Sequence, residues 1–394
     1  MKLIGFFALD VRQLEGGQVE LTRKFLDGIG QFARSWPGEV VAVMSPRTGA
    51  DSNLDHVVVH PRELPFQLVL LDPRTPSVIE VLRDASMVLL AAEYRQIGVA
   101  HLCKELGVPY AIVTEYNLKT RLQIAAVEEP RLKKRAKRVV WEIAQEAQQR
   151  RMVANAAGIQ CNGTPTFDAW GPLNRDPLLF FDSRVSPAML ATAHDVARKG
   201  TQRTLELAYS GRLLAMKGGM HLVDVAAHLK ARGVPFRMRI WGGGDLAVPL
   251  QARLREERVD DVVSLEGVIP CAELTEEVRT SVDLFVCPHV QGDPACTYLE
   301  TLSCGVPIAG FDNDAWRGLA SKSEAGWTAP MNDAKALADV IAKVAGDRER
   351  LRLTAAQALR FASDHTFEAT FARRIDHLKR LARPARPAVN TVSG

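Results

Sequence analysis

In the first 170 positions, apolar residues fall in short blocks. KLIGFFAL (2–9), VVAVMS (40–45), QLVLLD (67–72), MVLLAAE (87–93), YAIVTEY (110–116) and GIQCNG (158–163) are too short for helices, and several are rich in β-branched residues. Helical patterns separate most of them. Strands that are apolar on both faces and alternate with helices predict a parallel sheet covered on both sides. The second half repeats strand, glycine loop and helix, in LAYSGRLLAMKGG (207–219), RMRIWGGGD (237–245), SLEGV (264–268), VDLFVCPH (282–289) and GDPACTYLETLSCGVPIAGFDN (292–313). The expected fold class is α/β with two Rossmann-like parallel-sheet domains. The first spans 1–170 and the second 205–365, and the proline-bearing, weakly periodic stretch 171–204 is the expected interdomain connection. Residues 366–381 read as an amphipathic terminal helix, and 382–394, proline-rich and short of large apolar groups, as a disordered tail.

A chain of 394 residues, 47% hydrophobic and 24% charged, is long enough for two such cores. No apolar stretch reaches the roughly 18 residues of a membrane span, and the opening MKLIGFFALD is broken by Asp10, so it reads as a first strand and not a signal peptide. A cytoplasmic location is expected. The six cysteines (Cys103, Cys161, Cys271, Cys287, Cys296 and Cys304) lack C-x-x-C spacing and are expected to be reduced and mostly packed, with no zinc site. A net charge of +4 is too small by itself to mark a nucleic-acid binder.

The glycine loops carry the candidate chemistry. In a doubly wound sheet, ligands sit beyond the carboxyl ends of the strands, where N–H groups at helix starts attract anions. Arg212 and Lys217 follow the strand at 207–210 within one loop, so both reach a single diphosphate, Arg as a fork and Lys as a point charge. Gly218 and Gly219 leave the backbone beside them uncrowded. A short helix read at 297–304 directs its free N–H groups at the 292–296 loop and carries Glu300 about one turn in, a position suited to ribose hydroxyls. Together these pieces describe a crevice for a nucleotide diphosphate.

The order GRL-x-x-x-KG, strand-G-x-G, x-x-G-V, D-x-x-x-x-P and L-E-x-x-x-C-G-V-P resembles the donor-binding half of the retaining family 4 glycosyltransferases (glycosyl transferases group 1). These have the GT-B fold, in which the two domains face a central cleft and the terminal helix returns to brace the first. The likeness is strong over 207–378 and weaker before 170. It implies that Arg212 and Lys217 are the diphosphate pair and that Glu300 is the second glutamate of a paired motif, holding the ribose. Gly267 and Val268 then frame the base, and Gly243, His289, Ala295, Cys296 and Thr297 fall around the donor. The first glutamate of the motif is replaced by Gly292 with Asp293 beside it, and the family's G-F-G-L-P loop reads D-P-A-C-T. Either Asp293 takes over the sugar-hydroxyl contact or that contact is absent. The resemblance further implies transfer of a hexosyl group, with retention and without cofactor or metal. The donor would be a nucleotide diphosphate sugar, UDP- or GDP-linked, and the acceptor a glycan or lipid-linked saccharide of cell-surface polysaccharide synthesis.

On the first domain, Gly16 and Gly17 stand between strand one and a helix read from about Val19, where they form either a loop beneath a bound phosphate or acceptor or a plain strand-to-helix turn. Glu20, together with Glu115 and Tyr116 at a strand end, belongs to the expected acceptor side. His289 either touches the donor or hydrogen-bonds to backbone. Cys296 and Cys304 lack the acid–base partners of a thiolate nucleophile, and Asp312-Asn313-Asp314 reads as a solvated turn. The segment RLKKRAKR places Arg131, Lys133, Lys134, Arg135, Lys137 and Arg138 at the start of a helix around which Leu132, Val139, Val140, Ile143 and Ala147 form a partial apolar face. Such a pattern either docks on anionic lipid or is a solvated helix whose apolar side enters the core. Few aromatics interleave with the charges, so no nucleic-acid partner is expected. Two rivals to transfer stay open: a nucleotide-sugar binder without turnover, favoured by Gly292, and a nucleotide-sugar epimerase, which needs no acceptor.

Overall fold

The computed structural model describes residues 1–47 and 56–384. The strands of the first half are β1 (Lys2–Gln13), β2 (Val19–Thr22), β3 (Glu39–Arg47), β4 (His56–Val59), β5 (Gln67–Leu70), β6 (Met87–Ala91), β7 (Tyr110–Thr114), β8 (Gly158–Asn162) and β9 (Pro177–Phe180). Those of the second are β10 (Leu205–Ser210), β11 (Phe236–Trp241), β12 (Val263–Gly267), β13 (Leu284–Cys287), β14 (Ile308–Phe311) and β15 (Gly326–Ala329). The second sheet is parallel throughout, in the order β12-β11-β10-β13-β14-β15. The parallel part of the first runs β5-β3-β1-β6-β7-β8-β9. Chain order reverses next to β1 and next to β10, and a doubly wound sheet opens its binding crevice at that point.

Strand periodicity explains why the apolar runs are continuous. Successive side chains of a strand point to opposite faces. In β3, Val41 and Val43 enter one core with Ile4, Val88 and Leu90, while Val40, Ala42 and Met44 enter the other with Leu3, Met87 and Leu89. The second of these cores is closed by Phe25, Ile29 and Phe32 from the helix Arg23–Ser35 and by Phe371, Ile375 and Leu378 from the last helix, Phe367–Leu381. That last helix therefore packs on the first sheet. Arg374 is buried there, donating to the Gln160 side chain at 2.9 Å with its guanidinium 4.2 Å from the ring centre of Phe180.

Three features differ from the sequence reading. Part of the stretch read as a connection, 171–204, is the strand β9, which extends the first sheet beside β8; its flanking prolines and shortness hid it. No helix begins at Val19, because Val19–Thr22 is β2, antiparallel to β1 and to β4, and the helix starts at Arg23. Gly16 (φ 73°) and Gly17 (φ 78°) consequently form the turn between β1 and β2, with the Leu14 amide donating to the Gln18 carbonyl at 2.8 Å. The opening of the stretch read as a tail is held, since Arg383 bonds through its amide to the Ser86 carbonyl and through Nε to the Ala85 carbonyl. Residues 385–394, the rest of that stretch, lie outside the described residues.

Candidate active site

The carboxyl edges of the two sheets face one another. A Cβ placed on Gly163, after β8, would lie 3.0 Å from Pro294 in the loop before the helix Cys296–Ser303. Lys119 of the first half pairs with Asp314 of the second at 2.5 Å.

On the second sheet, the loop after β10 is laced to its neighbours. The Gly211 amide donates to Trp241, Leu213 to Gly243 and Gly242 to Gly267, which brings the ends of β10, β11 and β12 into one rim. Gly243 and Val268 touch across it, 3.2 Å from an added Cβ to Val268 Cγ2, and Val268 is 79% exposed. Arg212 is exposed and makes no ion pair among the described residues. Lys217 ends a tight turn at Ala215–Lys217, and Gly218 follows in the left-handed region (φ 66°), where any Cβ would overlap the Pro288 carbonyl oxygen. That approach buries Lys217 and turns its Nζ to Asp293, 3.0 Å away.

The helix Cys296–Ser303 starts after Ala295 without a side-chain cap, so the amides of its first turn, Thr297 among them, present their partial positive charge to this rim. Glu300 lies on its second turn, one position later in helical terms than expected, because the helix begins at Cys296. Burial raises its pKa, against the pull of Arg184 and Lys24. Burial pushes the Cys296 thiol up to about 12 and the Cys304 thiol to about 12, so both are protonated at neutral pH. Asp312 pairs with Arg317, and Asp314 with Arg317 and Lys119.

From the first sheet, Glu115 and Tyr116 reach the same space. Solvent touches Glu115, yet protein surrounds it; burial and then the neighbouring Asp182 raise its pKa, while the Asn162 amide donates to it at 2.7 Å. Tyr116, 44% exposed, lies within the fields of Asp293 and Arg212. Lys24 and Asp182 form an ion pair beside Cys296. Burial opposes the Lys24 charge, but Asp182, Cys296 and Glu115 together outweigh it and the pKa is raised. Sequence reasoning missed Lys24, Asp182, Arg184 and Asn162, since they lie far apart in the chain with no spacing to link them.

Four expected site residues have other roles in the fold. Gly16 and Gly17 turn a hairpin. Glu20 is tied to Arg47 at 3.3 Å and Arg12 at 4.0 Å. The His289 ring does not enter the cleft: it is 2% exposed, set between Tyr209 and Tyr298, and burial followed by the Lys217 charge drives its pKa well down, so it is neutral. A second cavity, about 570 Å³, opens at the opposite, amino edge of the second sheet among Arg198, Arg237, Arg239, Glu206, Asp260 and Asp283, whose charges balance.

Comparison with known proteins agrees with this architecture. Residues 196–360 match the family of glycosyl transferases group 1. WcaL of Escherichia coli, named for glycosyl transfer in colanic acid biosynthesis, is 29% identical over 150 residues, 36% of this chain and 37% of its own length. The amylovoran biosynthesis glycosyltransferase AmsK of Erwinia amylovora is 24% identical over 193 residues, 47% of each chain. The chain thus spans less than half the length of these relatives. A crystal structure of Anabaena HepE in complex with UDP superposes with a TM-score of 0.68 at 11% identity, covering 96% of this chain and 100% of that one. The architecture is GT-B.

Proposed function

We propose that this protein transfers a hexosyl group from a nucleotide diphosphate sugar to a hydroxyl acceptor, with retention at the anomeric carbon. One convergence supports the reading: Arg212 and Lys217 follow β10 at the switch point of the second sheet, and Lys217 meets Asp293 in the loop that leads into the uncapped helix start and on to Glu300. As the glycosidic bond breaks, negative charge grows on the departing diphosphate, and donors fixed in advance stabilise it without reorganising. Those groups supply the positive charge, so no metal or cofactor is called on. Glu300 accepts from ribose hydroxyls, Gly267 and Val268 frame the base, and Gly243, Ala295, Cys296 and Thr297 line the donor. Asp293 reaches the sugar once the diphosphate engages Lys217. Opposite them, Glu115, held by Asn162, and Tyr116 receive the acceptor hydroxyl. A cavity of about 320 Å³ beside Lys24 is lined also by Arg23, Arg34 and Arg184 and by the carboxylates Asp27 and Glu368, and this excess of cations suits an acceptor that bears phosphate. Closing the lobes excludes water that would hydrolyse the donor.

UDP- and GDP-hexoses are the donors to test. The names of WcaL and AmsK point to polysaccharide synthesis, hence to a glycan or lipid-linked saccharide as acceptor, on the cytoplasmic side of a membrane touched through Arg131–Arg138. A second reading, a binder without turnover, is favoured by Gly292 and by the hold of Asp293 on Lys217. Transfer assays with purified protein separate the two. Lys217→Ala and Glu300→Ala should each slow transfer about tenfold or more, ~1.4 kcal/mol of transition-state stabilisation, with the fold intact. Unchanged rates in both would refute the assigned pocket, whereas donor binding with no transfer to any acceptor would favour the second reading.

A further inference from the structure

We propose that the outward face of the helix Leu132–Asn155 is a docking surface that inserts into an anionic lipid bilayer. As far as Gln149 the helix is inverted relative to an ordinary surface helix, which turns its apolar stripe to the core and its charges to water. Over that length its inward side is polar: Glu142 and Gln149 are buried, and Glu142 and Glu146 pair with Arg121 of the helix Leu118–Glu128, while only the end of the helix enters the core through Met152 and Val153. Its outward side is apolar, with Leu132 69%, Val140 67% and Ile143 53% exposed. At 100° per residue, Leu132, Ile143, Ala136, Ala147 and Val140 fall within a stripe about 80° wide, edged by Lys133 and Lys137. Beyond Lys133 and Lys137, about 100° round the helix from Val140, Trp141 stacks edge to face with Tyr94 at 5.2 Å, both more than 40% exposed, an aromatic pair of the kind that settles at membrane–water interfaces.

The charges decide the partner. The only acids between residues 131 and 155 are Glu142 and Glu146, and both point inward. Arg131, Lys133, Lys134, Arg135 and Lys137 make no ion pair among the described residues, and they occupy the first two turns, where the helix dipole disfavours cations. Neither packing nor the electrostatics of the fold accounts for that placement. Lysine is depleted from the centres of protein interfaces. An anionic bilayer takes both components, the apolar side chains entering the acyl boundary and the cations reaching the headgroup phosphates.

Flotation of the full chain with vesicles tests this, and needs no nucleotide, so its result is independent of whether transfer is found. Vesicles of phosphatidylcholine with about a third phosphatidylglycerol should carry the protein, far better than phosphatidylcholine alone and less well at high salt. Lys133→Gln/Lys134→Gln/Lys137→Gln should lower partitioning by on the order of 100-fold. Val140→Ser/Ile143→Ser, which leaves the charge untouched, should lower it about tenfold or more. Unchanged melting temperatures certify both variants, whose altered side chains are solvent-exposed. Failure to float with anionic vesicles, or full retention of binding by Val140→Ser/Ile143→Ser, overturns the proposal. So does a dimer in analytical ultracentrifugation that Val140→Ser/Ile143→Ser dissociates, which would assign the face to a second copy.

Discussion

Lys217 and Asp293 face each other at 3.0 Å with side chains only 11% and 21% exposed, so the diphosphate proposed to bind Lys217 would compete with a resident carboxylate. Two unit charges at that separation attract by about 5 kcal/mol at an effective dielectric of 20. Desolvation offsets most of this, and an intermediate degree of burial leaves a net value of about 1–2 kcal/mol. Asp293→Asn keeps the shape of the side chain and removes its charge. Affinity for a nucleoside diphosphate should therefore rise about 5- to 30-fold. Lys217→Met should act the other way, losing charge-assisted hydrogen bonds of about 1.5–3 kcal/mol and weakening binding about 10- to 150-fold. Isothermal titration with UDP and GDP reads both, with thermal melts as a check on folding. Turnover should diverge from binding: where Asp293 also holds a sugar hydroxyl, Asp293→Asn binds nucleotide more tightly yet transfers more slowly. If Asp293→Asn instead weakens nucleotide binding as much as Lys217→Met does, the carboxylate supports the site and the competition argument fails.

Two further predictions concern the frame of the second lobe. Gly218→Ala should destabilise the protein by about 2 kcal/mol or more and abolish nucleotide binding, since φ is 66° and the added methyl meets the Pro288 carbonyl; a urea titration that matches the parent would contradict this. Lys199, 3% exposed, donates to the carbonyls of Arg279 at 2.6 Å and Val282 at 2.7 Å, and burial lowers its pKa from 10.5 to about 8. Between those values the unfolded chain binds the extra proton, so this group's contribution to stability rises with pH from about 8 to 10.5 and is lost as pH falls through 8, by up to about 3 kcal/mol. Denaturant titrations at both ends of that window should show the gain in the parent protein and not in Lys199→Met.

Much of the architecture was legible because strands covered on both faces must be apolar throughout, and such runs stand out at 40–45, 87–93 and 158–163. The antiparallel arm was not: VELT and HVVV are short, and Glu20 and His56 interrupt their apolar character. The candidate rim was legible because its parts are consecutive, Arg212 to Gly219 on one loop and Asp293 to Glu300 on another. The partners that face it were hidden, since Lys24, Asn162 and Asp182 meet only through the tertiary fold. The helix at 132–155 shows a different limit. Periodicity reports that a helix has two unlike sides but is silent on which of them faces water, and here Arg121 takes the polar side inward.

The seating of Phe371, Ile375 and Leu378 against Phe25, Ile29 and Phe32 has a consequence for biosynthesis. A nascent chain that has released β1 to β9 from the ribosome still lacks one wall of its earliest core, and it must wait for the whole of the other lobe to be translated before residues 367–381 arrive. Throughout that interval the first lobe presents greasy surface to solvent, the condition in which chaperones engage a folding chain, and deletions near the carboxyl end should be damaging at the opposite end of the polypeptide.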